Sequence, residues 1–174
     1  MNRSKPLSPA LLILGIVGGF ALVSAVMIRV VMPSQKIEPK ARIITEGPIR
    51  YAVVYAACEN FPAELETLLK QGGDPDARSD VGEPSLMLAA HNGNMFCCRL
   101  LLKYGANPNI HGSGNETPLR HAVFCHRISI VKYLLAHGAD PNLGGKEGKT
   151  PMHSAQFHQF PDMIEILKKA GATH

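Results

Sequence analysis

Histidine and cysteine are the side chains of this sequence that are best suited to chemistry. The chain of 174 residues contains eight His and four Cys. His121 and Cys125 are at positions i and i+4, so they share one face if the segment is helical, and His158 occurs later in the chain. Imidazole nitrogen and thiolate sulfur are ligands that zinc prefers. These three residues are a candidate metal site, although the sequence has no C-x-x-C or H-E-x-x-H motif.

Motifs of catalysis are missing from the sequence. It contains no G-x-S-x-G elbow, no P-loop and no G-x-G-x-x-G fingerprint, and it shows no paired-carboxylate site. The glycine-rich stretch Gly112–Asn115 falls where a turn is needed. We therefore expect a protein that is not an enzyme and uses no cofactor, and we expect His121, Cys125 and His158 to have ordinary structural positions.

The composition excludes several classes of protein. Apolar residues make up 45% of the chain and charged residues 18%, which is too apolar for a disordered protein. The formal net charge of +4 is small, and the lack of a long basic run argues against nucleic-acid binding. Four cysteines in a chain of this length do not make a disulfide scaffold. A globular domain with an apolar core remains.

An uncharged apolar run near the start of the sequence predicts a membrane segment. Pro9–Ile28 is a run of 20 residues without a charge, and a helix of that length spans about 30 Å, the thickness of a hydrocarbon core. We assign residues 1–8 to a short tail, 9–32 to a transmembrane helix or signal anchor, and 33–50 to a linker. Two alternatives stay open: a signal peptide cleaved near Val23–Ala25, and a buried helix of a soluble domain.

The charges beside this segment do not fix its orientation. Arg3 and Lys5 precede it, while Arg29 and Lys36 follow it. The short tail and the likeness of the segment to a secretory signal favour an arrangement with the C-terminal part outside the cytoplasm. We expect a single-pass protein of the inner (plasma) membrane whose C-terminal domain faces the periplasm, or release of that domain into the periplasm after cleavage.

The sequence from position 51 to position 174 repeats with a period of about 33 residues. An alanine, a leucine and a glycine column recur in phase without insertion: Ala56, Ala89, Ala122 and Ala155; Leu68, Leu101, Leu134 and Leu167; Gly72, Gly105, Gly138 and Gly171. Agreement between independent columns identifies an internal repeat. The four units cover about 51–78, 79–111, 112–144 and 145–174.

The chemistry of one unit predicts two helices joined by a turn. Thr117 and Thr150 are predicted N-caps, because each precedes a proline at the first helical position. The second helix carries an apolar stripe that includes Ile130 and Leu134. Gly138 is predicted to end that helix, since the residue after a helix often needs a positive φ.

The cysteines follow the same repeat. Cys97 aligns with Ile130, so we expect it and its neighbour Cys98 in the core. Cys58 and Cys125 fall on an exposed face, two repeats apart and too distant for a disulfide. A bridge between Cys97 and Cys125 is the alternative that the sequence leaves open.

Three segments resemble the ankyrin-repeat family: Leu101–Asn109 (LLKYGANPN), Asn115–Leu119 (NETPL) and Leu134–Asn142 (LLAHGADPN). The resemblance covers the whole C-terminal domain. It implies an all-α solenoid of four helix–turn–helix units with β-turn fingers, here preceded by one N-terminal transmembrane helix. The first two units depart from the family's Thr-Pro-Leu pattern, with Tyr51–Val53 and Pro84–Leu86 in its place.

The resemblance also implies a binding surface, because partners of such stacks usually bind the concave face. Positions beside the core columns carry apolar, aromatic and histidine side chains where a solvated face would be polar. The predicted partner-binding residues are Tyr55, Leu88, His91, His121, Phe124, Phe157 and His158. Ordinary packing of some of these rings between repeats is the competing interpretation.

A likeness to small bacterial envelope proteins with ankyrin repeats implies two classes of protein partner. We expect a membrane-tethered module that neutralises a cognate toxin or effector by occlusion, as an immunity protein. The alternative is an envelope scaffold that supports an oxidative-stress enzyme such as a catalase. We expect neither a nucleic-acid partner nor a small-molecule substrate.

Overall fold

The structure is a computed structural model that describes residues 48–145 and 148–173. The predicted tail (1–8), the predicted transmembrane helix (9–32) and most of the predicted linker lie outside the described residues. Within the described residues, no helix combines the length and apolar character that crossing a membrane requires.

The described residues form four successive pairs of helices. We number them in chain order: α1 Pro48–Cys58, α2 Pro62–Lys70, α3 Ser85–Asn92, α4 Met95–Lys103, α5 Pro118–Phe124, α6 Ile128–Ala136, α7 Pro151–Phe157 and α8 Pro161–Lys169. This part of the chain contains no strand beyond a single isolated antiparallel bridge between Arg78 and Pro84. The all-helical prediction is confirmed for it.

The second helix of every pair keeps the predicted period. These helices begin at Pro62, Met95, Ile128 and Pro161, each one repeat period after the last. The first helix of the first pair departs from it, because α1 already begins at Pro48. Residues 48–50, which the sequence assigns to the linker, are helical. Proline lacks an N–H group, but the first turn of a helix does not need one, so Pro48 starts α1 instead of interrupting the chain.

The alanine column lies at the centre of the stack. Ala56, Ala89, Ala122 and Ala155 are at most 1% exposed, and the helices that carry them, α1, α3, α5 and α7, pack side by side in that order. The leucine column and the thiols of Cys97 and Cys98 are also buried, as the repeat alignment predicts. All four cysteines are free thiols, so the alternative bridge between Cys97 and Cys125 is not formed.

The two predicted threonine N-caps are formed, and the second unit has a different hydrogen bond in place of such a cap. The hydroxyl groups of Thr117 and Thr150 accept hydrogen bonds from backbone N–H groups at 3.3 and 3.1 Å. The second unit has Pro84 at this position, which offers no such oxygen. The buried Ser85 hydroxyl instead donates to the carbonyl of Ala77 at 2.9 Å. This bond ties α3 to the finger before it.

The turn after each second helix joins neighbouring units through side-chain oxygens. Its glycine has φ near +90°, as predicted; Gly138, for example, has φ 86°. A short polar motif follows the first three of these glycines; after Gly105 it is Asn107-Pro-Asn109. Its two asparagine side chains form different hydrogen bonds. Asn107 accepts the N–H of Asn109 within the turn, at 2.9 Å. Asn109 accepts the N–H of Asp140 in the next unit, at 2.8 Å, and donates to the Gly138 carbonyl at 2.9 Å.

The same bond pattern runs along the stack. Asp76 accepts the N–H of Asn107 at 2.9 Å, and Asn142 accepts the N–H of Thr173 at 2.7 Å. Asp76 has no amide hydrogen, so it makes the accepting contact alone. Each of the first three units therefore supplies one side chain that hydrogen-bonds to the backbone of the next unit, which fixes the stacking distance on this side.

The amide of Asn94 makes the corresponding link at the turn between the two helices of a pair. It donates to the carbonyls of Ala57 and Cys58 at 2.9 and 2.7 Å. These carbonyls belong to the last turn of α1, where intrahelical donors are missing. Asn92 also donates to the Cys58 carbonyl, at 3.0 Å, but it is exposed to solvent.

We expect Asn94→Ala to lower the free energy of unfolding by about 1–3 kcal/mol, the cost of leaving the buried Ala57 carbonyl without its side-chain donor, since Asn92 still donates to the Cys58 carbonyl. The matched variant Asn92→Ala should lose less than about 1 kcal/mol, because water replaces an exposed donor. Urea unfolding followed by circular dichroism measures both values. A loss for Asn92→Ala as large as that for Asn94→Ala would contradict this assignment.

Candidate functional site

Three predicted binding residues meet at the C-terminal half of the stack. Phe124 ends α5, Phe157 ends α7, and His158 follows directly. The His158 ring meets both phenylalanines edge to face, with ring centroids 4.9 Å from Phe124 and 5.1 Å from Phe157. Phe124 is 48% exposed and Phe157 75% exposed. Two large apolar rings are therefore held in place by an imidazole and still face solvent.

Further rings extend this group. Phe160 stacks on His158 at 5.5 Å, His126 lies 4.3 Å from Phe160, and His153 stacks on Phe157 at 6.4 Å. We call the six side chains the aromatic cluster: Phe124, His126, His153, Phe157, His158 and Phe160. Sequence reasoning missed His126, His153 and Phe160. The sequence offered one signal for His126, because it aligns with Gly93 of the preceding unit. In the structure His126 has a positive φ of 54°.

A second group joins α3 to α5. The Nδ1 atoms of His91 and His121 are 3.3 Å apart, and the Cys125 sulfur lies 3.4 Å from the same His91 nitrogen. We call these residues the imidazole–thiol cluster: His91, His121 and Cys125. Of the three residues that the sequence grouped, His121 and Cys125 both lie beside His91, whereas His158 lies in the aromatic cluster. The imidazole beside Cys125 comes from the preceding unit.

Charged side chains surround the imidazole–thiol cluster. Glu116 forms an ion pair with Arg120, and its Oε2 lies 3.5 Å from His121 Nε2. Arg127 donates from Nε to the His91 carbonyl at 3.2 Å. Its guanidinium also covers Gly93, where an added Cβ would meet it at 3.0 Å. Arg127 therefore holds the end of α3 against the third unit.

Burial favours the uncharged forms of His121 and Cys125. Burial lowers the pKa of His121 from 6.5 to about 4, and the nearby His91 and Arg120 act in the same direction. Burial raises the pKa of the Cys125 thiol above its ordinary 9.0, while Arg127 opposes that shift. In the described part of the chain, no group of three or more His, Cys, Asp or Glu side chains could hold a metal ion.

The remaining predicted residues, Tyr55 and Leu88, are half-buried. Leu88 packs against the core of the stack. This contact agrees with ordinary packing, the competing interpretation of that residue. The Tyr55 ring lies 6.0 Å from Phe61 at the first unit. The residues predicted as one surface thus divide between an aromatic cluster, an imidazole–thiol cluster and ordinary packing.

Stability should depend on pH through His121. Because its pKa in the folded chain is lowered to about 4, the unfolded chain binds a proton first, and stability falls as the pH drops from 6.5 towards 4. We expect His121→Gln to show a smaller loss over that interval. Urea midpoints at pH 7 and pH 5, measured with EDTA present, test this. Equal losses in both proteins would show that His121 is not responsible.

Comparison with known families agrees with this architecture. A family model described as ankyrin repeats, in three copies, matches residues 53–145, which is more than half of the chain and runs from within α1 to beyond α6. A search of curated proteins found no match. The regular repeat period, the paired helices and the matched model lead to one conclusion: the chain belongs to the ankyrin-repeat family.

Proposed function

We propose that the chain is a non-catalytic module that holds one protein partner on the concave face formed by α1, α3, α5 and α7. Membership of the ankyrin-repeat family supports a protein-binding role. The observation that carries the choice of surface is the pair Phe124 and Phe157, which occupy equivalent positions on neighbouring first helices and are 48% and 75% exposed.

Exposure of the two phenylalanine rings to solvent costs free energy that a bound partner would recover. Burying a phenylalanine side chain contributes about 1.5–3 kcal/mol, and this free energy is unused while Phe124 and Phe157 face solvent. Edge-to-face contact with His158 fixes both rings in advance. A partner that covers them gains the burial without ordering the side chains first. Aromatic anchors of this kind carry most of the energy at protein interfaces.

We further propose that residues 9–32 tether the module to the inner membrane with the stack in the periplasm. The uncharged run Pro9–Ile28 supports the tether. The partner in this proposal is a cognate toxin or effector, which the module neutralises by occlusion as an immunity protein. The support is the likeness to small bacterial envelope proteins with ankyrin repeats, and a compact module held at a membrane suits interception of an incoming protein.

The test compares two phenylalanine variants of the full chain as bait. Phe124→Ala/Phe157→Ala removes both anchors, and we expect partner affinity to fall at least about 30-fold, since one interface anchor contributes about 2 kcal/mol. Phe96→Ala is the matched control, because Phe96 is 65% exposed but lies on α4, away from the concave face. Affinity capture followed by titration calorimetry gives the stoichiometry and the dissociation constant.

Growth assays separate the immunity role from the scaffold role. Cells that express the chain should survive the cognate toxin, and cells that express Phe124→Ala/Phe157→Ala should not. Capture of a catalase-like enzyme without any protection would replace immunity by scaffolding. Equal binding by the double variant and by Phe96→Ala would reject the concave surface.

A further inference from the structure

We propose that the concave face selects an acidic segment of its protein partner, in which an apolar side chain is flanked by aspartate or glutamate. This inference rests on the proposed function and adds to it the chemistry of the segment that is bound. It also adds two residues, His153 and Arg127, to the predicted partner-binding set.

Acidic residues are distributed unevenly between the two helices of a unit. Within the described residues, every aspartate and glutamate that belongs to an α-helix lies on α2 or α8, which are second helices. The first helices α1, α3, α5 and α7 contain none. The turns that follow α3, α5 and α7 contain none either. The helices that form the concave face therefore carry no negative side chain of their own.

Arginine and histidine occupy the same segments. In the third and fourth units, the first helices and the turns after them carry Arg120, His121, His126, Arg127, His153 and His158. Two carboxylates contact these segments from outside, and both are already engaged. Glu116 pairs with Arg120, and Asp162 Oδ2 lies 3.0 Å from His126 Nε2. The guanidinium of Arg127 has no carboxylate partner among the described residues.

Arg127 therefore keeps a positive charge that a partner can use. Its side chain is exposed, and its Nε donates to the His91 carbonyl at 3.2 Å. The terminal nitrogens of a guanidinium carry further N–H groups, which bind a carboxylate through two parallel hydrogen bonds. Arg127 directly follows His126 in the chain, so its charge lies next to the aromatic cluster.

Two imidazoles flank Phe157, the most exposed ring of that cluster. His153 stacks on it with ring centroids 6.4 Å apart, and His158 meets it edge to face at 5.1 Å. In the part of the chain that the structure describes, the ring nitrogens of His153 and His158 have no hydrogen-bond partner. Each ring carries at least one N–H group. An apolar anchor point is thus bordered by unused hydrogen-bond donors.

A carboxylate is the group that fits these donors in every protonation state. A neutral imidazole has one N–H donor and one acceptor nitrogen, whereas a protonated imidazole has two donors and a positive charge. A carboxylate accepts from both forms, and charge strengthens the bond. A lysine of the partner could bind only the neutral form, and Arg127 would repel it. The face therefore favours acidic segments over basic ones.

A protein segment fits this face better than a nucleic acid. Nucleic acids are held through many phosphate contacts with arginine and lysine. The first helices α3, α5 and α7 and the turns after them contain no lysine, and Arg127 is their one arginine without a carboxylate partner. Phe124 and Phe157 instead offer two rings against which an apolar side chain packs.

The experiment selects binders from a displayed library of random peptides, with the full chain in detergent micelles as bait. Counter-selection on Phe124→Ala/Phe157→Ala removes peptides that do not need the concave face. We expect the remaining pool to be enriched in aspartate and glutamate on both sides of an aromatic or aliphatic residue. Sequencing of the pool before and after selection measures the enrichment.

One consensus peptide is then titrated by fluorescence anisotropy. Replacement of its Glu and Asp residues by Gln and Asn should weaken binding at least about tenfold. Arg127→Gln should weaken it at least about fivefold. Arg99→Gln is the matched control, because it removes the same charge from an exposed arginine on α4, and it should change the affinity less than about twofold.

A second variant avoids the role of Arg127 in holding the end of α3. His153→Phe keeps a ring stacked on Phe157 but removes the N–H donors, and the exposed His153 ring makes no hydrogen bond that folding could lose. We expect it to weaken binding of the acidic peptide at least about threefold. Circular dichroism of each variant checks that its fold is unchanged.

The possible outcomes separate this inference from the proposed function. A pool that depends on Phe124 and Phe157 but is not enriched in acidic residues would overturn the acidic segment and leave the proposed surface standing. A pool without any such dependence would reject the surface and this inference together. Equal losses in Arg127→Gln and Arg99→Gln would trace the preference to the net charge of the chain, against this proposal. Displacement of the peptide by single-stranded DNA would overturn the choice of a protein segment.

Discussion

Close approach of successive first helices is the constraint on which the rest of the structure depends. A single methyl group separates neighbouring helices at the alanine column, whose members Ala56, Ala89, Ala122 and Ala155 are at most 1% exposed. A larger side chain there would push two units apart, and the hydrogen bonds at both edges of the stack would lengthen together. These are the Asn94 bonds to the end of α1 and the Asn109 bonds to the next turn. The core and the polar edges therefore enforce one spacing.

That spacing decides what α5 can reach. With α3 on one side and α7 on the other, the exposed face of α5 directs His121 and Cys125 towards His91, and Phe124 towards His158. A helix of seven residues thus takes part in two side-chain clusters. Repeat proteins place function in this way, since each unit contacts only its neighbours and its outer positions are free to vary.

The frame was predictable from sequence because local chemistry repeats with it. Thr117 caps a helix and Gly138 ends one through properties of their own, and a period without insertions transfers the glycine to every unit and the threonine cap to the fourth. The two side-chain clusters were harder to predict from the sequence. Alignment compares residues one repeat period apart, whereas His91 contacts Cys125, 34 residues later, and His121, 30 residues later. Such diagonal contacts depend on how far one helix is shifted along the next, and no single residue encodes that shift.

Helix α5 connects the proposed partner surface to the imidazole–thiol cluster. A partner that covers Phe124 and Phe157 would fix α5 against α7, while the contacts of His91 with His121 and Cys125 join α3 to α5. In a stack governed by nearest-neighbour interfaces, opening the third unit breaks both interfaces at once. Strengthening either one raises the free energy of that common opening. Partner binding would therefore be coupled to the interface between α3 and α5 through the stability of α5, although neither cluster shares a side chain with the other.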